Sequence, residues 1–146
     1  MTQEDKELLL KDLCARLPYG VKILYTGWDN DRGFEYQVVE KLVGIDDNFI
    51  YTLWGREKNK YSIKFADFKP YLRPMSSMTE EEREEFRTIG GIMSYSPQHD
   101  TWALSAIAPD AYDWFNAYHF DYRGLIEKGL AIEVTEENNP YKKSDS

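Results

Sequence analysis

The chain has few of the residues that build disulfides and metal centres. Among its 146 residues there is one cysteine, Cys14, and there are two histidines, His99 and His119. A single cysteine cannot form an internal disulfide, and no spacing of cysteine and histidine matches a zinc site. We therefore predict no metal and no cofactor, and we expect Cys14 to be an inert thiol packed beside the apolar side of the first helix.

Long apolar runs are missing as well. No apolar stretch approaches the ~18 residues that cross a bilayer. The first residues also lack the basic and then apolar order of a signal peptide. These absences predict a protein without membrane contact. A reducing, cytoplasmic location is the default for such a chain with one cysteine.

Basic runs are short in this acidic chain. The longest is Lys142-Lys143, and the net charge is −8 at pH 7. Proteins that bind nucleic acid usually present a basic face to the phosphates. The charge balance therefore disfavours nucleic acid as a partner, although a local basic patch is compatible with an acidic total.

The common catalytic signatures are absent too. The sequence has no Gly-x-Ser-x-Gly motif, no Walker loop and no dinucleotide fingerprint. We predict no catalytic residue, so an enzyme is the less favoured class, although that class stays open.

What the chain does contain is a clear pattern of secondary structure. Leu9, Leu13 and Leu17 recur at helical spacing, which predicts a helix over residues 2–17. Apolar and polar residues then alternate in four stretches, 21–26, 34–43, 49–53 and 61–65. Short strands joined by turns predict an antiparallel β-meander that can curl into a small open barrel. An α+β fold follows, with the N-terminal helix and C-terminal helices packed on the sheet.

The remaining patterns complete this arrangement. Pro70 and Pro74 predict an extended crossover at 68–78. The capping box Thr79-Glu-Glu-Glu82 opens an acidic helix to residue 88, whose acidic side is either a solvated face or a docking surface. Further elements are expected as strands at 92–95, 102–107 and 130–134 and as a helix that starts at Pro109. We predict one domain, residues 1–134, followed by a polar, disordered tail, residues 135–146.

The stretch 109–134 is rich in aromatic residues and contains the candidate site. Trp114 and Phe115 are expected on the core side of the helix. The candidate ligand-binding residues follow directly, and they are His119, Asp121, Tyr122 and Arg123. A histidine beside a carboxylate can act as a general base, and an arginine can hold an anion.

A structural interpretation of the same residues is favoured. Asp121 precedes a short apolar run and is expected to cap a short helix through Glu127, and Arg123 can pair with a carboxylate in the core. His119 would then be a hydrogen-bonded histidine at the end of a helix. His99 is expected to be a surface residue of a loop.

Three blocks carry a resemblance to a known family. They are KDLCARLPYGV (11–21), KPYLRPMSSMTEE (69–81) and DWFNAYHFDYRGLI (113–126). In these blocks the chain resembles a family of small proteins of uncharacterised activity from anaerobic gut bacteria and their phages or mobile elements. The resemblance implies a shared fold and a mobile-element setting. It implies no catalytic residue and no ligand.

Two functions remain open at this point. The first is a non-catalytic, cytoplasmic protein-interaction or accessory module of mobile-element origin, with another protein as its partner. The second is a small-molecule-binding protein or enzyme whose pocket lies near His119, Asp121 and Arg123. A deep cavity lined by His119 and Asp121 would favour the second function, and a flat apolar patch would favour the first.

Overall fold

A computed structural model of the chain describes residues 2–64, 67–89, 92–96, 101–106 and 109–142. This part contains three α-helices and eight β-strands. The helices are α1 (Gln3–Arg16), α2 (Glu80–Thr88) and α3 (Pro109–Ala117). The strands are β1 (Lys22–Asp29), β2 (Phe34–Ile45), β3 (Phe49–Trp54), β4 (Glu57–Ser62), β5 (Asp67–Leu72), β6 (Ile92–Ser96), β7 (Thr101–Ala106) and β8 (Ile132–Glu133).

Six of the strands form one open sheet, in the order β4-β3-β2-β1-β5-β8. All neighbours in this sheet are antiparallel except β5 and β8, which run parallel. Strands β6 and β7 pair as a separate hairpin. The predicted α+β fold and its antiparallel meander are therefore confirmed.

Two stretches of the sheet differ from the sequence prediction. Strand β4 begins at Glu57, in a stretch expected to be a polar turn, and ends at Ser62. The sequence of β4 shows no alternation of apolar and polar residues, because the side chains that face inward, Asn59 and Tyr61, carry polar groups that bind Glu40. The expected crossover contains strand β5, which pairs with β1 and places Pro70 opposite Ile23. Proline has no N–H to donate, but it does not prevent the neighbouring residues of β5 from pairing with β1.

The sheet is strongly curled. Tyr25 on β1 stacks on Tyr61 on β4, with 3.8 Å between the ring centroids. These strands are three strand spacings apart, which would separate them by about 14 Å in a flat sheet. Curling brings the two rings together across the inner face, the face that carries Ile23, Leu42 and Ile50.

Helix α1 covers this inner face. Leu9 and Leu13 pack into one apolar cluster with the sheet residues Ile23, Leu42 and Ile50. Leu125, Leu130 and Ala131, from the last third of the chain, belong to the same cluster. The N-terminal helix, the meander and the last third of the chain therefore share one core.

A second apolar cluster lies between α2 and α3. Trp114 is 8% exposed and Phe115 is fully buried, which confirms their predicted place in the core. Phe86 of α2 packs against both rings. The predicted capping box is present as well, since the side chains of Thr79 and Glu82 each accept a hydrogen bond from the backbone N–H of the other.

Cys14 is exposed, so the expectation of a packed thiol is wrong. The buried side of α1 is formed by Leu9, Asp12, Leu13 and Arg16. Cys14 lies away from this side, where the charged residues Asp12 and Arg16 join the predicted Leu9 and Leu13. None of the helices in the described ranges is long and apolar enough to cross a membrane.

Candidate functional site

The predicted site residues lie where α3 ends and the chain turns back over α1. The centre of this region is Arg16, which is fully buried. Its Nε donates to Asp12 Oδ2 at 2.7 Å, and its Nη2 donates to the carbonyl oxygen of Phe120 at 2.6 Å. Arg16 therefore ties the N-terminal helix to the backbone beside His119, but its Nη1 has no hydrogen-bond partner within the described ranges.

His119 adopts a left-handed backbone conformation with φ 64°. Its N–H donates to Asn116 at the end of α3, and its carbonyl accepts from the N–H of Arg73. The imidazole ring stacks on Tyr141, with 3.7 Å between the centroids and 9° between the planes. Nδ1 is buried and has no partner among the described residues.

The electrostatics around His119 favour the neutral imidazole. Burial lowers its pKa to about 4, and the charges of Arg16 and Arg73 add to this shift. The sequence suggested a histidine whose charged form is stabilised by Asp121. No such pair forms, so a general-base role has no support in this arrangement.

Asp121 has a structural role, as the favoured interpretation predicted. Its two carboxylate oxygens accept from the backbone N–H groups of Leu125 and Ile126, each at 2.9 Å. Its own N–H donates to the carbonyl of Arg73. The side chain is thus fully used in holding the turn that follows, although that turn does not become the expected short helix.

Arg123 and Tyr122 complete the group. Arg123 Nε lies 3.1 Å from Asp12 Oδ1, an ion pair whose N–H direction does not make a hydrogen bond. Its Nη2 donates to the hydroxyl of Tyr122, which in turn donates to Asn116. The predicted pairing of Arg123 with a carboxylate is confirmed, and the carboxylate is Asp12.

Sequence reasoning missed three side chains of this region, namely Asp12, Arg73 and Tyr141. Asp12 and Arg16 carried a signal, because they are four residues apart and in phase with Leu9 and Leu13. The other two carried none, since their positions depend on the pairing of distant segments. His99 lies outside the described residues.

A second polar cluster lies on the inner face of the sheet. Glu40, only 2% exposed, accepts hydrogen bonds from Thr52, from Asn59 at 2.9 Å and from the hydroxyl of Tyr61 at 2.6 Å. Burial and this carboxylate raise the pKa of Tyr61. Every donor in the cluster points at one carboxylate, so the cluster stabilises the curled sheet and leaves no free group for a ligand.

Two glutamates of the acidic helix α2 contact side chains outside the helix. Glu85 accepts from Trp114 Nε1 at 3.1 Å and from the hydroxyl of Tyr118. Glu82 pairs with Arg73 at 2.7 Å. Burial opposes ionisation of Glu82, but the hydrogen bonds from Arg73 and Thr79 outweigh it and hold the pKa of Glu82 below its usual value. These contacts give Glu82 and Glu85 a structural role, whereas Glu80, Glu81 and Glu84 remain exposed.

The outer face of the sheet, opposite Ile23 and Leu42, is open and basic. Paired residues of neighbouring strands lie on the same face, and the pairing collects five lysines there: Lys22, Lys41, Lys58, Lys60 and Lys69. Leu24 is paired with Val39 at the centre, and Val39 is 38% exposed. Glu35 and Asp67 lie toward one end of this face. A further carboxylate, Asp46, accepts from the hydroxyl of Tyr51, and its charge interacts with Lys60.

Three surface depressions were found away from the predicted site. One is a cleft between α1 and the sheet, lined by Leu9, Leu10 and Phe68 among others. A second adjoins it at the start of α1. The third lies at the tip of the β1–β2 hairpin beside Trp28, Phe34 and Tyr36. None of these three contains His119, Asp121 or Arg123, and no group of three or more potential metal ligands occurs within the described part of the chain.

No protein-family model, no curated protein and no solved structure matches the chain. The resemblance to proteins of gut bacteria and their mobile elements therefore stays a prediction. What the chain does is argued below from its own surfaces.

Proposed function

We propose that the protein is a non-catalytic interaction module that binds an acidic, amphipathic segment of a partner protein through the outer face of its sheet. The observation that carries the proposal is the concentration of lysines on this face in a chain whose net charge is −8. A cytoplasmic location and a mobile-element setting belong to the same proposal. The cytoplasmic location is proposed because the single cysteine, Cys14, is a free, exposed thiol.

The lysines are arranged at a cost to the fold. Lys22 and Lys41 lie directly opposite each other on β1 and β2. Like charges in this position repel each other and destabilise a sheet. Among the described residues, no carboxylate forms a salt bridge with any of the five outer-face lysines. A cluster of lysines without paired carboxylates is expected where an anionic group of a binding partner neutralises their charge.

The apolar centre of the face selects the kind of anionic partner. Leu24 and Val39 are neighbours there, and Leu53 is paired with both Lys41 and Lys58. Single-stranded nucleic acid binds sheets through stacked aromatic rings. The outer face carries two such rings, Phe49 and Tyr51, beside Lys60 at the β3–β4 edge, whereas its centre is aliphatic. An acidic peptide with apolar residues on one side matches both the aliphatic centre and the surrounding lysines.

The small-molecule or enzyme alternative has less support. Asp121 is saturated by backbone N–H groups, Arg123 is paired with Asp12, and the ring of Tyr141 lies over His119. No acid, base or nucleophile is left in a reactive arrangement among these residues. A catalytic function would therefore need groups outside this cluster.

Binding of a fluorescein-labelled helical peptide with glutamate on one side and leucine on the other tests the proposal. We expect saturable binding that weakens as salt is added, because the lysines are solvent-exposed. The double charge reversal Lys22→Glu/Lys41→Glu should weaken binding by about tenfold or more, which corresponds to about 1.4 kcal/mol.

The matched control is Lys11→Glu/Lys128→Glu, which changes the total charge equally at exposed positions of other surfaces. It should leave the affinity nearly unchanged. Equal losses in both double variants would show a general charge effect and overturn the proposal. Tighter binding of labelled oligo(dT) than of the peptide at the same salt would assign the face to nucleic acid instead.

A further inference from the structure

The side chain of Tyr141 is inserted into the end of the β1–β5 ladder. Pairing runs from Thr26 opposite Asp67 to Ile23 opposite Pro70, so the next pair would be Lys22 and Tyr71. Because Pro70 has no N–H, the Ile23–Pro70 pair is of the non-hydrogen-bonded kind and the next pair is of the hydrogen-bonded kind. The N–H of Lys22 and the carbonyl of Tyr71 are thus expected to bond directly.

The phenol hydroxyl of Tyr141 takes the place of that bond. It donates to the carbonyl oxygen of Tyr71 at 2.7 Å and accepts from the N–H of Lys22 at 3.0 Å. The slot therefore offers one backbone donor and one backbone acceptor, spaced for a single hydroxyl group. A phenol satisfies both, whereas an apolar ring satisfies neither.

The wall of the slot is built without help from Tyr141. The imidazole of His119 stacks flat on the phenol ring, and its left-handed backbone is held by Asn116 and Arg73. The neutral state of this imidazole suits stacking on a neutral phenol. In the part of the chain that the structure describes, the buried Nη1 of Arg16 and Nδ1 of His119 have no hydrogen-bond partner, so this corner of the protein has unused hydrogen-bonding capacity there.

The segment that carries Tyr141 is held elsewhere by few contacts. Residues 135–138 are exposed, and their bonds are local ones, such as that from Asn138 to the carbonyl of Glu133. The next residue, Lys142, is exposed as well. Tyr141 is the main anchor of this segment, which the sequence predicted to belong to a polar, disordered tail. A segment attached at one point can leave its slot without disturbing the core.

We propose that the slot under Tyr141 is a binding site for a small phenol and that Tyr141 occupies it as an internal competitor. Binding of the ligand requires release of the segment 135–142. The apparent affinity of the intact chain is lowered by the fraction of time that Tyr141 fills the slot. The site uses the backbone N–H of Lys22 and not its ammonium group, so it does not depend on the function proposed for the outer face.

The test uses p-cresol, the free form of the tyrosine side chain, on the full chain. Calorimetric titration should show that Tyr141→Ala binds p-cresol at least about tenfold more tightly than the parent protein, because the internal competitor is gone. Toluene, which lacks the hydroxyl, should bind at least about tenfold more weakly than p-cresol because the two backbone groups stay unpaired. The control Tyr112→Ala, which removes a tyrosine exposed elsewhere, should bind like the parent.

A second measurement keeps the test decisive if Tyr141→Ala folds poorly. Tyr141→Phe retains the ring and loses only the hydroxyl. In this variant p-cresol should therefore displace the side chain at position 141 more readily than it does in the parent protein. In the parent protein, saturating p-cresol should shift the amide resonances of residues 135–142 toward random-coil positions. Equal affinity in the parent and in both Tyr141 variants, equal binding of toluene, or binding without movement of these resonances would each overturn the proposal.

Discussion

His119 illustrates how neighbours in sequence can be separated by backbone conformation. The sequence places it two residues before Asp121 and suggests a pair. The left-handed backbone at His119 turns the imidazole toward Tyr141, while the Asp121 carboxylate faces the N–H groups of Leu125 and Ile126. A positive φ at a residue other than glycine is uncommon, and nothing in the local sequence announces it.

The lowered pKa of His119 predicts a specific loss of stability in mild acid. The folded-state pKa is about 4 and the ordinary value is 6.5. The unfolded chain therefore takes up the proton first, so this contribution to stability is complete above pH 6.5 and is lost as the pH falls toward 4. The slope should stay below ~1.4 kcal/mol per pH unit, because only one proton is taken up.

The measurement compares urea unfolding of the parent and of His119→Asn between pH 7 and pH 4. Asparagine tolerates the left-handed conformation and does not titrate in this range. Titration of the carboxylates affects both proteins alike, so the difference between their free energies of unfolding isolates His119. Parallel curves for the two proteins would contradict the prediction.

Asp121 yields a prediction that differs from the one made from sequence. A capping aspartate should tolerate asparagine, but here both oxygens accept backbone hydrogen bonds at 2.9 Å. The amide nitrogen of asparagine cannot accept, so Asp121→Asn should lose about 1–3 kcal/mol. Asp121→Ala should lose more. Thermal melts with Asp113→Asn, an exposed aspartate, as the control decide this, and a parent-like melting temperature for Asp121→Asn would refute it.

Helices and strands were predicted correctly where the sequence of the element itself contains the full capping or alternation pattern. The capping box at Thr79 and the alternation in β1 and β3 were predicted and are present. Strand β4 was misplaced because an inward polar residue, Asn59, binds a carboxylate on another strand. Strand β5 was missed because Pro70 argues against a strand until its partner is known.

The polar cluster at Glu40 predicts how the curled sheet responds to loss of its charge. Glu40→Gln replaces one accepting oxygen by an NH₂ group that faces the donors of Thr52, Asn59 or Tyr61. We expect a loss of about 2–3 kcal/mol in the free energy of unfolding, because a buried donor is left unpaired. The pKa of Tyr61, which burial and then Glu40 raise, should fall relative to the parent.

Urea unfolding and spectrophotometric titration of the tyrosines measure these two effects. Glu57→Gln is the matched control, since Glu57 is an exposed glutamate of β4. It should change neither quantity appreciably. A Glu40→Gln protein as stable as the control would mean that the cluster does not stabilise the curled sheet.

The whole molecule joins its first and last thirds through buried charges. The sequence could predict that His119, Asp121, Tyr122 and Arg123 lie near one another, because they are within five residues. It could not predict that Arg16 binds the carbonyl of Phe120, since the two residues are 104 positions apart. Long-range contacts of this kind depend on how the sheet and helices pack and leave no periodic signal.

The charged group Asp12, Arg16 and Arg123 predicts an asymmetry between single and double substitutions. Asp12→Ala leaves two guanidinium groups without their carboxylate, one of them fully buried, and should cost about 3–5 kcal/mol. The double variant Asp12→Leu/Arg16→Met replaces the buried pair by apolar side chains of similar size. It should be more stable than Asp12→Ala, although the Phe120 carbonyl loses its donor.

Urea unfolding of both single variants, Asp12→Leu and Arg16→Met, and of the double variant gives the coupling energy of the pair. Calorimetry of the parent should show one transition with equal calorimetric and van't Hoff enthalpies, because Arg16 links α1 to the backbone at Phe120. If the two single losses simply add in the double variant, the pair is not coupled. Arg16 would then stabilise the protein through its bond to Phe120 alone, and the first and last thirds of the chain would be held together by the apolar core.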